Sequence, residues 1–450
     1  MAYGIIRALA RLLLSLFYRR IEVVGSEHIP AASPLIITAN HHNSLVDPML
    51  VMAAVPRPLT ILAAAPLFHN PIIAPFLRLV GALPVLRRQE GNGDPARNDA
   101  MFGAVAEALS RGGAVLLFPE GRTQPEPVLL PLRTGAARIL LGATTVGAPV
   151  TLLPVGLVFH DPGTFRAGWA LVLVGPPVRT DDCEALYRTE PDQAVRELTD
   201  RLHEALSRQI IEADDRQTLR LLRVVETLWK GYAPASAADD AARVATIQEV
   251  ARAHHELKRL APERLAALRQ HVEAYSKDLE RLGASDVEVG KSYPLSVATR
   301  WAAREGLSLL LGLPLACVGM LLHAAPYWLT AGVVRALPHE AEEEATYKIV
   351  TGLVFYPLCW AVEGWVAWAV GGGWALAVLL VALLPAGFFA LGWQERSRHA
   401  ARETRAFLRF LVDRDLRRRL VARQRALVEE ITALAALVAR ADASRDAPRG

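Results

Sequence analysis

The sequence predicts an α/β fold, a mixed sheet flanked by helices, followed by a helical region and C-terminal transmembrane helices. Three observations lead there. Between residues 20 and 180, short apolar runs alternate with helical patterns. From about residue 184 to 282 the strand signals stop, and charged, alanine- and leucine-rich segments take over. Residues 306–334 carry no Asp, Glu, Lys or Arg, and residues 349–393 carry only Glu363. An apolar helix of about 20 residues is enough to cross a bilayer.

Composition sets the outer bounds. At 450 residues the chain is too long for one average domain, so two or three units are expected. Hydrophobic residues make up 52% and mean hydropathy is +0.23, which excludes a disordered chain and points to a membrane protein. Lys+Arg 50 against Asp+Glu 46 leaves a net charge of +4, so no nucleic-acid footprint spread over the chain is expected. Cys183, Cys317 and Cys359 form no C-x-x-C pair, which supports neither a disulfide framework nor a cysteine zinc site.

In chain order, residues 1–20 come first. Ile5, Ile6, Leu9, Leu12, Leu13 and Leu16 follow helical spacing, interrupted by Arg7 and Arg11. This reads as an amphipathic helix lying on a membrane, or as a domain helix packed on the protein's own core. The α/β domain is expected over 21–183. Its strands are the runs "RIEVV", "PLIITAN", "LTILAA", "GALPVL", "GAVLLF", "VTLLPVGL" and "WALVLVG"; helical patterns fall at 47–55, 67–79, 98–111 and 134–146. Residues 184–300 read as a helical region, with Pro262 opening a helix.

The membrane segments fall within 301–394. Gly371-Gly372-Gly373 divides the second stretch into spans 349–370 and 374–393, a helical hairpin. The arginine-rich helix and tail over 395–450 are placed in the cytoplasm by the positive-inside rule. If the N-terminal domain lies on the same side, the number of crossings is even. Residues 306–334, with Pro314 and Pro326, then form a re-entrant or in-plane segment; a true span is the alternative.

Chemistry concentrates in "ITANHHNSLVDPML". A strand ends at Ala39, a polar loop follows, and Asp47-Pro48 reads as the N-cap and first position of a helix. A loop that folds back lets Asp47 accept a hydrogen bond from one imidazole nitrogen, fixing the tautomer and leaving the other nitrogen basic. The H-x-x-x-x-D spacing selects His42 rather than His41. Alone this spacing carries little; its company carries the argument. In "LLFPEGRTQPEPVLLPLRTGAARI", Glu120, Gly121, Arg122 and Thr123 follow a strand, and Arg133 precedes a helix; upstream, Arg87 and Arg88 follow another strand. Glycine beside arginine lets backbone approach an anion, which a guanidinium can clamp bidentately.

These blocks resemble those of the membrane glycerolipid acyltransferases related to bacterial lysophosphatidate acyltransferase. His42 to Asp47 is the first block, Gly81 to Arg87 the second, Phe118 to Thr123 the third, and "LLPVGL" around Pro154 the fourth. They cover about residues 35–160, and "NHHNSLVDP" with "LPLRTGAARI" looks most like the glycerol-3-phosphate or dihydroxyacetone-phosphate acyltransferase branch. Pro84 and Arg133 depart from the residues frequent in relatives, an aromatic and a lysine.

The resemblance implies that His42 is the general base and Asp47 orients it. It implies that Glu120, Gly121, Arg122, Thr123 and Arg133 bind the acceptor phosphate with Arg87 assisting, and that Pro154 shapes the acyl pocket. The implied substrates are acyl-CoA or acyl carrier protein as donor and a glycerol-phosphate acceptor, used among membrane lipids, with no cofactor, no metal and no covalent acyl-enzyme. Remodelling of other lysophospholipids is an alternative, as is a non-catalytic membrane scaffold. No G-x-S-x-G elbow occurs, so a serine hydrolase lacks its nucleophile.

Overall fold

The computed structural model describes residues 2–71, 73–85, 95–124, 128–144, 149–160, 163–166, 168–210, 249–282 except 251 and 255, residue 289, and 295–446. Contacts divide the chain into two compact units: 1–216 with 337–350, and 217–336 with 351–450.

The first unit contains a seven-stranded sheet of order β1-β7-β6-β2-β5-β3-β4. The strands are β1 (Arg20–Val24), β2 (Leu35–Ala39), β3 (Leu59–Ala64), β4 (Leu83–Val85), β5 (Ala114–Leu117), β6 (Thr151–His160) and β7 (Trp169–Val174). β6 and β7 are antiparallel and the other strand pairs are parallel. All seven apolar runs therefore become strands, in a mixed sheet. Strands buried on both faces read as continuous apolar runs rather than as alternation, and every residue of β2 is buried.

Helices cover both faces. Leu35, Ile37 and Ala39 face one core layer, built with α1 (Ala2–Phe17), α2 (Val46–Ala54) and α3 (Ala74–Leu79). Ile36 faces the other, built with α4 (Pro95–Ser110), α5 (Gly135–Thr144), α6 (Asp181–Tyr187) and α7 (Pro191–Ser207). The helical pattern at 67–79 resolves into a 3-10 turn, Ala65–His69, and α3. Asn70-Pro71 disfavours helix at the junction, and Asn70 Oδ1 accepts the Ile73 N–H at 3.2 Å.

Of the two readings of the N-terminus, α1 packs on the domain's own core, burying Ala10, Leu14 and Phe17. Its arginines reach across to α2: Arg7 donates to the Met52 and Ala53 carbonyls at 3.1 and 3.3 Å, and Arg11 to Ala53 at 2.8 Å. They satisfy carbonyls at the end of α2, where positive charge also complements the helix dipole. Ile5, Leu9 and Leu12 remain exposed.

The compact unit is wider than residues 21–183, taking in α1, α6 and α7, and residues 337–350 from far along the chain. Ala345 and Ile349 are buried in the same core layer as β2 and α2.

The second unit contains α8 (Pro262–Leu282), α9 (Leu295–Ala336), most of α10 (Glu344–Val412) and α11 (Arg414–Asp446). Leu265, Leu268, Val272 and Tyr275 of α8 share a core with Leu427, Ile431 and Leu434 of α11. α9 runs without a break through Pro314 and Pro326, so the chain does not turn back at those prolines. α10 is interrupted at Gly372, whose φ of 68° and ψ of −161° are not helical. The arginine-rich helix expected within 395–450 is instead divided at Asp413, whose Oδ1 accepts the Leu416 N–H at 2.8 Å and so caps α11. Among the described residues, two helices are long and apolar enough to cross a membrane, 296–336 and 344–412.

Candidate active site

β2 and β5 are neighbours in parallel register, with Thr38 opposite Leu117. Their loops therefore leave the same sheet edge side by side. In open α/β sheets this carboxyl edge is where ligands bind. Asn40 fixes the exit from β2: its amide donates to the Leu157 carbonyl at 2.9 Å and accepts the Leu157 N–H at 2.6 Å. A side chain thus extends the ladder to β6 by one rung.

The histidine loop then wraps the carboxylate of Asp47. One oxygen, Oδ2, accepts three donors: His41 Nδ1–H at 2.7 Å, His42 N–H at 2.7 Å and Asn43 N–H at 2.8 Å. The ring that Asp47 orients is that of His41. His42 Nδ1 faces the Gln124 carbonyl at 3.0 Å. This corrects the spacing argument. The loop turns back so that the backbone of His42, not its ring, reaches Asp47. Nor is Asp47 the N-cap of α2. The helix begins at Val46 with Leu45 in the cap position, and the Asp47 side chain folds back from the first turn. Its second oxygen, Oδ1, is buried with no hydrogen-bond partner among the described residues.

His41 is accessible where Asp47 is not: their side chains are 17% and 0% exposed. The His41 ring stacks on Phe118 with centroids 4.1 Å apart and planes at 17°. Burial pushes the His42 imidazole below its ordinary value, although the Asp47 charge opposes this. Sequence reasoning missed Asn43 and Tyr18, both buried, with the Asn43 amide donating to the Tyr18 hydroxyl at 2.8 Å. Their polarity inside an apolar core was the available signal.

The β5 loop completes the site. Glu120 is buried, and its oxygens accept the His41 N–H at 2.8 Å and the Leu130 N–H at 3.2 Å. Burial, the main effect, pushes its carboxyl up to about 7 against these two donors. Through these two hydrogen bonds it braces the histidine loop. Gln124 adds a second brace, its N–H donating to the His41 carbonyl at 3.1 Å.

Gly121 has φ +73°, and a Cβ there would lie 2.6 Å from Arg133 Nε. The glycine thus allows both the turn and the passage of the Arg133 side chain. The Arg133 N–H donates to the Pro119 carbonyl at 2.7 Å. Arg122 is exposed in the same turn, next to Thr123. Arg87 lies outside the described residues. Pro154 is buried in β6 opposite Thr38, and its carbonyl accepts the Gly175 N–H at 2.9 Å. Its observed contacts are those of the sheet. Among the described residues, no three His, Cys, Asp or Glu side chains come together as a metal site.

A half-buried histidine oriented by a buried carboxylate, with arginines on the next loop, is an arrangement chemically able to take a proton near an anion. Residues 20–158 match the family model described as Acyltransferase. An uncharacterized acyltransferase of Schizosaccharomyces pombe is 22% identical over 306 residues, which are 49% of this chain and 45% of that protein. Glycerol-3-phosphate O-acyltransferase 2 of Saccharomyces cerevisiae is 29% identical over 136 residues, 30% of this chain and 18% of that one. The chloroplastic 1-acyl-sn-glycerol-3-phosphate acyltransferase LPAT1 of Arabidopsis thaliana is 22% identical, over 38% of this chain and 46% of its own length. The chain thus spans less than half the length of each of these relatives. The solved 1-acyl-sn-glycerophosphate acyltransferase of Thermotoga maritima is 23% identical, covering 46% of this chain and 80% of that one, with a TM-score of 0.33.

Proposed function

We propose that this chain transfers a fatty acyl group from acyl-CoA or acyl carrier protein to a hydroxyl of glycerol-3-phosphate or 1-acyl-glycerol-3-phosphate, at the cytoplasmic face of a membrane. One observation carries the reading: Asp47 holds Nδ1 of the accessible His41. Nδ1 is then the donor and Nε2 the base. His41 Nε2 takes the proton of the acceptor hydroxyl as its oxygen attacks the thioester carbonyl carbon. The tetrahedral intermediate expels the thiolate, which recovers that proton from the imidazolium. Asp47 stabilises the imidazolium between these steps.

Arg122 and Arg133 would bind the acceptor phosphate, with Thr123 and Arg87 assisting, because a guanidinium matches phosphate oxygens bidentately. The names of the yeast and plant relatives support this substrate class. The two apolar helices support membrane attachment. The test is a panel of phosphorylated and unphosphorylated acceptors, given to purified protein with labelled acyl-CoA and with acyl carrier protein, followed by positional analysis of the product. Transfer to the phosphorylated glycerols is expected. Transfer only to lysophospholipids with larger headgroups, or none, would overturn the assignment.

A further inference from the structure

The connector between α9 and α10 belongs to the acyltransferase unit. Ala345 and Thr346 are 0% and 1% exposed, and Ile349 packs in the core beside α2. Thr346 Oγ1 accepts the Leu45 N–H at 3.1 Å, inside the histidine loop. Lys348 fastens the segment a turn of chain away, its Nζ donating to the Gly163 carbonyl and to Glu344, each at 2.7 Å.

Four other amides of the loop are held from within the sequence blocks themselves, by Glu120, Asp47 and Asn43. His41 N–H goes to Glu120, those of His42 and Asn43 go to Asp47, and Val46 N–H goes to the Asn43 carbonyl. Leu45 N–H alone among these is held by a residue some 300 positions away. It is buried, so without Thr346 it would be left unmet in an apolar layer, which is strongly unfavourable.

We propose that Thr346 is a positioning residue for the histidine loop, so that the connector between the two apolar helices sets the loop geometry that acyl transfer needs. This rests on the acyl-transfer reading for its kinetic consequence and not for the contact itself. Loss of the Thr346 hydroxyl frees Leu45, loosens the backbone that presents His42 and Asn43 to Asp47, and so misplaces the His41 ring. Substrate binding by the arginines of the β5 loop is not touched.

The test uses the full chain in lipid nanodiscs, comparing Thr346→Val and Thr346→Ser with the unsubstituted protein. Two readouts are taken: kinetics, and amide hydrogen exchange of the peptide covering residues 41–50. Thr346→Val should lower kcat by about 10-fold, with both KM values within about 2-fold, and speed exchange in that peptide by about 10-fold. Thr346→Ser, which keeps the hydroxyl, should restore both. Unchanged kcat and exchange in Thr346→Val would overturn the proposal, as would a serine variant as impaired as the valine one. If Thr346→Val does not fold, Lys348→Met decides, since it releases the segment from Gly163 without opening the core. Faster exchange in the 41–50 peptide supports the proposal, and unchanged exchange overturns it. Faster exchange in Thr346→Val, in a protein that transfers no acyl group to any acceptor, would leave the loop clamp standing and remove the functional reading instead.

Discussion

Asp47 Oδ2 lies 2.7 Å from Nδ1 of His41, while the ring of His42, one residue on, faces the Gln124 carbonyl at 3.0 Å. Two adjacent histidines thus have different partners: Asp47 orients the His41 ring, and the His42 ring is held to the neighbouring loop. His41→Ala should therefore lower kcat by about 10³-fold, the range for removing a positioned general base. His42→Ala should keep most activity, within about 10-fold, with some loss of thermal stability. Parallel kinetics on both variants decide the register. A dead His42→Ala beside an active His41→Ala would return the role to His42.

The sheet was legible in the sequence for a physical reason. Strands buried on both faces are apolar runs bounded by turn residues, and β2, β5 and β7 are such runs. The strand, turn and helix around Phe118-Pro119-Glu120-Gly121 were also readable. The histidine register was not. A one-residue choice within a loop is set by which amides a carboxylate collects, and Asp47 collects those of His42 and Asn43. Nor does anything local in "FPEGRT" say that the Glu120 carboxylate turns inward to the backbone of another loop. Thr346 had no local signal at all, since its partner Leu45 is distant in sequence.

Arg122 and Gly121 give a test of acceptor binding. Arg122 is exposed in the turn, and Gly121 makes room for the Arg133 side chain. Arg122→Ala should raise the acceptor KM by about 10- to 100-fold, the loss expected for charge-assisted hydrogen bonds, and leave the donor KM within about 3-fold. Gly121→Ala should act in the same direction, because its Cβ displaces Arg133 and its positive φ is strained. Equal increases in both KM values would count against a phosphate role.

Glu120 predicts a pH dependence of stability. Its carboxyl is raised from an ordinary 4.5 to about 7, mainly by burial. The folded state therefore binds the proton more tightly than the unfolded state. The associated stability is full below about pH 4.5 and is lost as pH rises through about 7. Its size is on the order of 3 kcal/mol. Glu120→Gln cannot titrate, and its lost acceptor for Leu130 adds only an offset independent of pH. Relative to the variant, the unsubstituted protein should thus lose thermal stability between pH 5 and 8. Parallel curves of melting temperature against pH would show that Glu120 stays ionised throughout.

The ends of the apolar helices carry a topological prediction. Residues 337–350 belong to the first unit, so Glu343, between α9 and α10, is expected on the same side of the membrane as that unit. At the other ends, the Arg396 guanidinium pairs with Glu305, Nη2 to Oε2 at 2.7 Å, which puts the start of one apolar stretch and the end of the other on a common side. Residues 217–300 offer no apolar run long enough to cross between the catalytic domain and Glu305. The expected topology has residues 305, 343 and 396 on one side of the membrane, with two crossings of α10 about Gly372 and no net crossing by α9. By the positive-inside rule the arginines after Trp393 are expected on the cytoplasmic side. In a variant lacking Cys183, Cys317 and Cys359, single cysteines at Glu343 and Ser397 should both react with a membrane-impermeant thiol reagent from the cytoplasmic face of sealed inverted vesicles. Labelling of the Glu343 position from the opposite face alone would make α9 a true span, and would detach the connector from the catalytic unit.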